Sequence, residues 1–135
     1  MSTQETFNQL MTDAEMIALA TETTAGHTPS VRFVFFAHDA AQPNVLFFGT
    51  APTADKVAEI AANPVVSFET SPVNFQTVRV TGAKVTAATD RDAFFTAMDA
   101  KYPSFARFTP EARAAMHVYA ATFTTALVND DTLTF

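Results

Sequence analysis

Arg32 and Lys56 are the two residues whose types and positions point most directly to chemistry. Arg32 lies in Val31-Arg32-Phe33-Val34-Phe35-Phe36, an aromatic and β-branched run that suits a strand. Alternation sets Arg32, Val34 and Phe36 on one face, with Val31, Phe33 and Phe35 on the other. A guanidinium left alone among such neighbours costs several kcal/mol, so it needs a partner. A carboxylate of the chain, carbonyls or a bound anion would serve, as would an edge position open to water. Lys56 follows Thr53-Ala54-Asp55, which reads as a helix start capped by the Thr53 hydroxyl. Lys56 is then the third helical residue, where the helix dipole disfavours a cation. An anion resting on the free N–H groups of that turn accounts for it, and so does a solvated lysine balanced by Asp55. The chemistry open to this pair is the holding of an anion.

The stretch from Phe47 to Pro64 must carry Lys56. Val45 to Phe48 reads as a strand, broken by Gly49 and Pro52. Val57, Ile60 and Ala61 recur at helical spacing as one apolar face. Asn63 suits a left-handed helix end, and Pro64 stops the helix. Around this unit, Ser2 to Asp13 reads as a short helix with a capping box from Ser2 to Glu5 and a Phe7, Leu10, Met11 stripe. A second box, Thr12 with Glu15, competes for its end. Ile17 to Thr23 is a first strand, turned at Ala25-Gly26-His27. His38 to Asn44 is a loop. Pro64 to Thr70 and Phe75 to Val85 are strands joined at Ser71 to Asn74. Ala88 to Tyr102 is a helix with Asp90 as cap and Phe94, Phe95, Met98 and Tyr102 inward. Thr109-Pro110-Glu111 opens another helix, to about Met116. Val118 to Val128 reads as one strand with Tyr119, Phe123 and Leu127 on a face, and Thr132 to Phe135 as a last one. Six or seven strands with few short helices, mostly joined as hairpins, favour an antiparallel barrel.

Composition narrows the function classes. The 135 residues fall within one domain's usual size, and 48% hydrophobic residues with 14 Phe can fill a core. So much apolar surface on a short chain also suggests a second subunit covering part of the barrel. The net charge of −6 argues against nucleic acid or an anionic membrane as partner. There is no cysteine, hence no disulfide or thiolate chemistry. No apolar run reaches the length of a membrane span, and Met1 to Glu5 does not resemble a signal peptide, which fits the cytoplasm. His27, His38 and His117 lack metal-ligand spacing; only His117 merits a test as a substrate contact. No nucleophile elbow, P-loop or dinucleotide fingerprint is present.

Three blocks in order resemble the pyridoxamine 5′-phosphate oxidase-like, FMN-binding split-barrel family: Val31 to Phe36, Phe47-Phe48-Gly49-Thr50 through Lys56 to Asn63-Pro64, and Val78-Arg79-Val80-Thr81-Gly82. The resemblance spans most of the chain. It implies a mainly β (α+β) fold, a six-stranded antiparallel split β-barrel with short flanking helices, as one domain over residues 1–135. It implies a homodimer holding FMN at the subunit interface and an oxidoreductase acting on a small-molecule substrate or electron donor. By position, Arg32 and Lys56 would hold the flavin phosphate, with Thr50 adding a contact. Backbone groups of Phe33, Val34, Phe35, Phe48 and Gly49 would line the ring, and Gln76 or Thr77 of a second subunit would reach its edge. A phosphate monoester carries about −1.5 to −2 charge and would partner both cations at once. Departures matter as well. Ala37 and Asp55 stand where oxidases of pyridoxamine phosphate carry a lysine and an arginine, Thr77 stands at their glutamine, and there is no tryptophan. These argue against pyridoxal phosphate synthesis. The alternative on the same fold is a non-catalytic protein that binds or senses flavin, haem or another planar ligand.

Overall fold

A computed structural model describes all residues, Met1–Phe135. The helix α1, Thr3–Asp13, starts at Ser2 as its capping box requires, with Ser2 Oγ accepting from the Glu5 amide at 3.1 Å. It ends at Ala14, so the competing box at Thr12 does not form. The strands β1 (Ile17–Glu22), β2 (Pro29–Val34), β3 (Ala37–His38) and β4 (Val45–Thr50) follow. Next come the helix α2 (Asp55–Ala62) and the strands β5 (Val65–Thr70) and β6 (Val78–Ala87). The helix α3 (Arg91–Lys101), a 3₁₀ turn (Pro103–Arg107) and the helix α4 (Pro110–Ala115) then form one block. The chain closes with β7 (His117–Thr122), β8 (Thr125–Val128) and β9 (Asp131–Thr134).

Every pairing is antiparallel, in the order β2-β1-β5-β6-β7-β4-β3, with β8 on β6 and β9 on β8. The strands at the two ends of that seven-strand path, β2 and β3, are consecutive in sequence. Val34 ends one and Ala37 begins the other, so the edges lie within about 10 Å of each other. A sheet whose opposite edges are joined by two residues has to curl. Long β6 shares in that curl: Val78 and Arg79 pair with β8, Lys84 to Ala87 with β7, and Gly82 sits between them at φ 78°. A left-handed residue there bends the strand between its two partners, and glycine takes that conformation without a Cβ clash. The fold is therefore mainly β with a curled antiparallel sheet and four helices, and nine strands take part where six were expected.

The extra count has a local cause. The last long strand breaks at Phe123 and Thr124 into β7 and β8, because β6 turns away from one partner to the other. The break also changes the face. Val118, Ala121, Phe123, Ala126 and Val128 are buried, while Tyr119 and Leu127 are only half-buried. Phe75 was expected in a strand but forms the tip of the β5–β6 hairpin. Asn74 and Phe75 lie at φ 50° and 65° between the bridged residues Val73 and Gln76.

Two apolar clusters result. The larger fills the inside of the curl, from Ile17, Leu19, Leu46, Phe48, Val66, Phe68, Val78 and Val80, and is plugged by Phe7, Leu10 and Met11 of α1. The smaller lies outside, where Phe94, Met98, Tyr102 and Phe105 pack over Ala37 and Val118. Tyr102 ties the β2–β3 corner to this outer layer. Its hydroxyl donates to the Glu15 carbonyl at 2.8 Å and accepts from the Phe36 amide at 3.2 Å. Burial of that phenol pushes its pKa up to about 12.

Candidate functional site

β2 is an edge strand, and Arg32 faces inward from it across β1. Its Nη1 donates to the Thr21 hydroxyl at 2.7 Å and more weakly to the Leu19 and Ser30 carbonyls. Its Nη2 donates to Ser30 Oγ at 3.0 Å and to Glu59 Oε1 at 2.8 Å. The partner Arg32 needs is thus a carboxylate of its own chain, with hydroxyls and carbonyls around it, and only Nε–H is uncommitted. This corrects the preference for an anion as that partner. Glu59 accepts from Thr21 Oγ at 2.6 Å as well. The Thr21 hydrogen bond, then Arg32, hold the Glu59 carboxyl below the usual carboxylate range against its burial.

Glu59 is the functional-looking residue the sequence reading missed. The apolar face of α2 was expected along Val57, Ile60 and Ala61, but Glu59 and Ile60 are its buried residues and Ala61 is exposed. The signal was present: a buried arginine calls for a carboxylate, and Glu59 stands beside Ile60 on the nearest helix.

α2 starts later than expected. Ala54 occupies the N-cap with no side-chain hydrogen bond, so Thr53 does not cap, and Lys56 is the second helical residue. The amides of Asp55 and Lys56 consequently have no acceptor in the chain. Asn63 ends the helix in an extended conformation, φ −142°, and not in the left-handed one. Lys56 is half-buried and makes no hydrogen bond or ion pair. Burial first, and then the Arg32 charge, lower its pKa, with Asp55 and Glu59 opposing. The structure therefore brings Lys56 beside the Arg32–Glu59 pair, as a cation with nothing to neutralise it directly, at the open end of a helix.

The other residues distribute differently. Thr50 is buried, with a long 3.4 Å bond to the Ala51 carbonyl. Phe33 is exposed, Val34 half-buried, and Phe35 stacks on Tyr102 at 4.3 Å between ring centroids. The Phe48 side chain is fully buried in the inner core against Tyr119. The Cα of Gly49 faces the outer layer, where a Cβ would meet the Phe94 ring at 3.1 Å and Met116 Sδ at 3.2 Å. Gln76 and Thr77 are held by Asn129: its side-chain amide donates to Gln76 Oε1, and its Oδ1 accepts from the Thr77 amide. No hydrogen bond joins these two to the Arg32 cluster. His27 pairs with Glu22 in the open, His117 is exposed, and His38 bonds the Pro43 carbonyl at 2.9 Å.

No protein-family model and no curated protein sequence matches the chain. Solved structures do. A candidate pyridoxamine 5′-phosphate oxidase from Listeria innocua superposes with a TM-score of 0.72 at 14% identity, over 96% of this chain and 100% of that one. An F420 reductase superposes with a TM-score of 0.71 at 23% identity, over 88% of this chain and 94% of the other. A haem-binding protein from Mycobacterium smegmatis gives 0.77 at 15% identity, over 99% of this chain and 58% of its own. The chain shares their split-barrel fold. At such identities the likeness extends to the fold alone. No helix of the chain is long and apolar enough to cross a membrane.

Proposed function

We propose that the chain binds a flavin-type cofactor, FMN in the simplest case, through its phosphate, and acts as an oxidoreductase on a small molecule. The observation that carries this is the start of α2: an unpaired, half-buried Lys56 beside two backbone amides without acceptors. Those three donors are of the kind a phosphate takes, since uncapped helix N-termini and ammonium groups both favour an anion. Arg32 contributes its positive field and its free Nε–H, while Glu59 keeps the guanidinium in place. Thr50 remains the proposed further contact to the phosphate, and the backbone of Phe33, Val34, Phe35, Phe48 and Gly49 the proposed lining of the ring. When bound, a flavin would supply hydride or electron transfer; the chain supplies anchorage and orientation. A FAD-binding protein from Mesorhizobium loti has the same fold, which supports the cofactor class.

The proposal includes a homodimer. Val31 and Phe33 are 68% and 69% exposed on edge strand β2, and Phe75 is fully exposed at a hairpin tip. An apolar edge strand of this kind is a pairing surface unless something covers it. A second copy there would let its Gln76 or Thr77 approach the ring. The similarity to a haem-binding protein supports the second reading, a non-catalytic carrier or sensor. Titration of the purified protein with FMN, followed by visible absorbance and then by addition of reduced nicotinamide cofactor, tests both. Bound flavin that is reduced supports the oxidoreductase; bound flavin left oxidised supports the carrier; no bound flavin removes both flavin readings.

A further inference from the structure

Lys101, the last residue of α3, is a cation that the Arg32 and Lys56 cluster does not use. Its Nζ lies 3.7 Å from the centroid of the fully buried Phe36 ring and 5.4 Å from that of Tyr102. It makes no hydrogen bond and no ion pair. The side chain borders a groove of about 460 Å³ shared with Met11, Thr12, Ala37, His38, Ala97 and Ala100. That volume suits a small organic molecule, and the three alanines leave the space beside the amine clear.

The titratable groups around Lys101 are few. Asp13 closes α1, His38 lies on β3 with Asp39 next to it, and the Tyr102 hydroxyl is committed to Glu15 and Phe36. Burial lowers the ammonium to about 8, with Asp13 opposing. The Phe36 and Tyr102 ring faces also oppose this, because they attract the charged form. His38 Nε2 faces the Pro43 carbonyl, which can only accept, so Nε2 carries the proton and Nδ1 holds a free lone pair. The Lys101 charge, after burial, helps to keep that imidazole neutral.

We propose that Lys101 is a nucleophilic amine that captures a small, largely apolar aldehyde or ketone in this groove as a Schiff base. The amine lone pair forms a C–N bond to the carbonyl carbon while the C=O π pair moves to oxygen. Loss of water, which takes that oxygen and the two amine hydrogens, leaves the imine. No electrons are gained or lost, so no oxidant or reductant is required. His38 lines the same groove and is the base available there to take the amine proton as the carbinolamine forms. No residue of the groove belongs to the Arg32, Lys56 and Glu59 cluster, so this proposal stands or falls independently of flavin binding.

The test is reductive trapping of the whole protein with benzaldehyde and cyanoborohydride between pH 6 and 10, with the modified peptides read by mass spectrometry. Lys84, exposed on β6, is the internal reference. Lys101 is expected to label at least about tenfold faster than Lys84 at pH 7, with a half-point near 8. Ala97→Phe, at an exposed helix position, fills the groove; it should slow Lys101 and leave Lys84 unchanged. Circular dichroism checks that the variant is folded. Labelling of Lys101 no faster than Lys84, or unaffected by Ala97→Phe, overturns the proposal.

Discussion

Arg32 and Lys101 are both largely withdrawn from water, yet the fold treats them in opposite ways. The guanidinium is given a carboxylate, two hydroxyls and two carbonyls. The ammonium is given two aromatic faces and no oxygen. A planar group with five donors can be satisfied by fixed partners from β1, β2 and α2 together. A compact ammonium on a flexible stem, drawn out of water with only two ring faces to favour its charge, is lowered to about 8 by that burial and becomes a candidate for chemistry. Lys56 falls between these two: close to the Arg32 cluster, but with no partner of its own.

The contrast can be broken most forcefully at Arg32. Arg32→Ala strands Glu59, and we expect a loss of about 2 kcal/mol in urea unfolding, below the value for a fully buried pair because Arg32 keeps 23% side-chain exposure. Glu59→Gln keeps an acceptor for Thr21 and Arg32, so it should lose less than Arg32→Ala, while it leaves the guanidinium charge unbalanced and so strengthens its attraction for an added anion. Phe36→Leu comes next, at about 1.5 kcal/mol for lost packing. The same change removes the ring under Lys101, so the Lys101 pKa should fall further and its labelling at pH 7 should rise.

Lys101→Met sharpens the comparison through pH. A lysine whose folded pKa is about 8 against an ordinary 10.5 binds fewer protons folded than unfolded between those values. Stability should therefore rise as pH climbs from about 8 to 10.5, and the penalty is fully present below 8. Lys101→Met should remove the larger part of that rise, leaving the share of Lys56, whose pKa is also lowered, and add about 1 kcal/mol at pH 7, a figure reduced for the water that reaches the side chain and for the ring contacts. Glu59 works on the opposite limb. Its folded pKa is lowered, so its contribution is present above the ordinary carboxylate range and lost as pH falls through the lower value. Glu59→Gln should flatten the acid limb only, and Lys101→Met the alkaline limb only. Lys56→Gln should change stability least, within about 0.5 kcal/mol, since it breaks no hydrogen bond or ion pair.

Much of the fold could be read in the residues. Capping chemistry located α1, α3 and α4, because Ser2, Asp90 and Thr109 each accept from an amide of the first turn. The apolar patterns located β1 and the buried faces of β5 and β6, but β2 runs Pro29–Val34 and leaves out Phe35 and Phe36, and β4 continues through Gly49 to Thr50 where a break was expected. They failed where a strand changes partners: β6 bends at Gly82, β7 and β8 separate at Phe123, and a single-strand pattern cannot report that. The start of α2 was misplaced because Thr53 is a good cap by type, whereas the turn from Pro52 leaves it outside the helix. The site was half legible. An arginine on an apolar strand face announced that it needed a partner, but local spacing could not say whether that partner was a ligand or Glu59, 27 positions away. Lys101 was not legible at all, since its environment comes from Phe36 and from Met11 and Thr12, which meet only in the folded chain.

The central claim is that the open start of α2, with Lys56, receives a phosphate carried by a planar cofactor. Fluorescence titration of the protein with FMN and with riboflavin, which lacks the phosphate, tests it directly, repeated on Lys56→Gln. The account predicts that FMN binds at least about tenfold tighter than riboflavin, the worth of one charge-assisted contact, and that Lys56→Gln erases the difference. Equal affinity for the two flavins, or an FMN preference that survives Lys56→Gln, would contradict it.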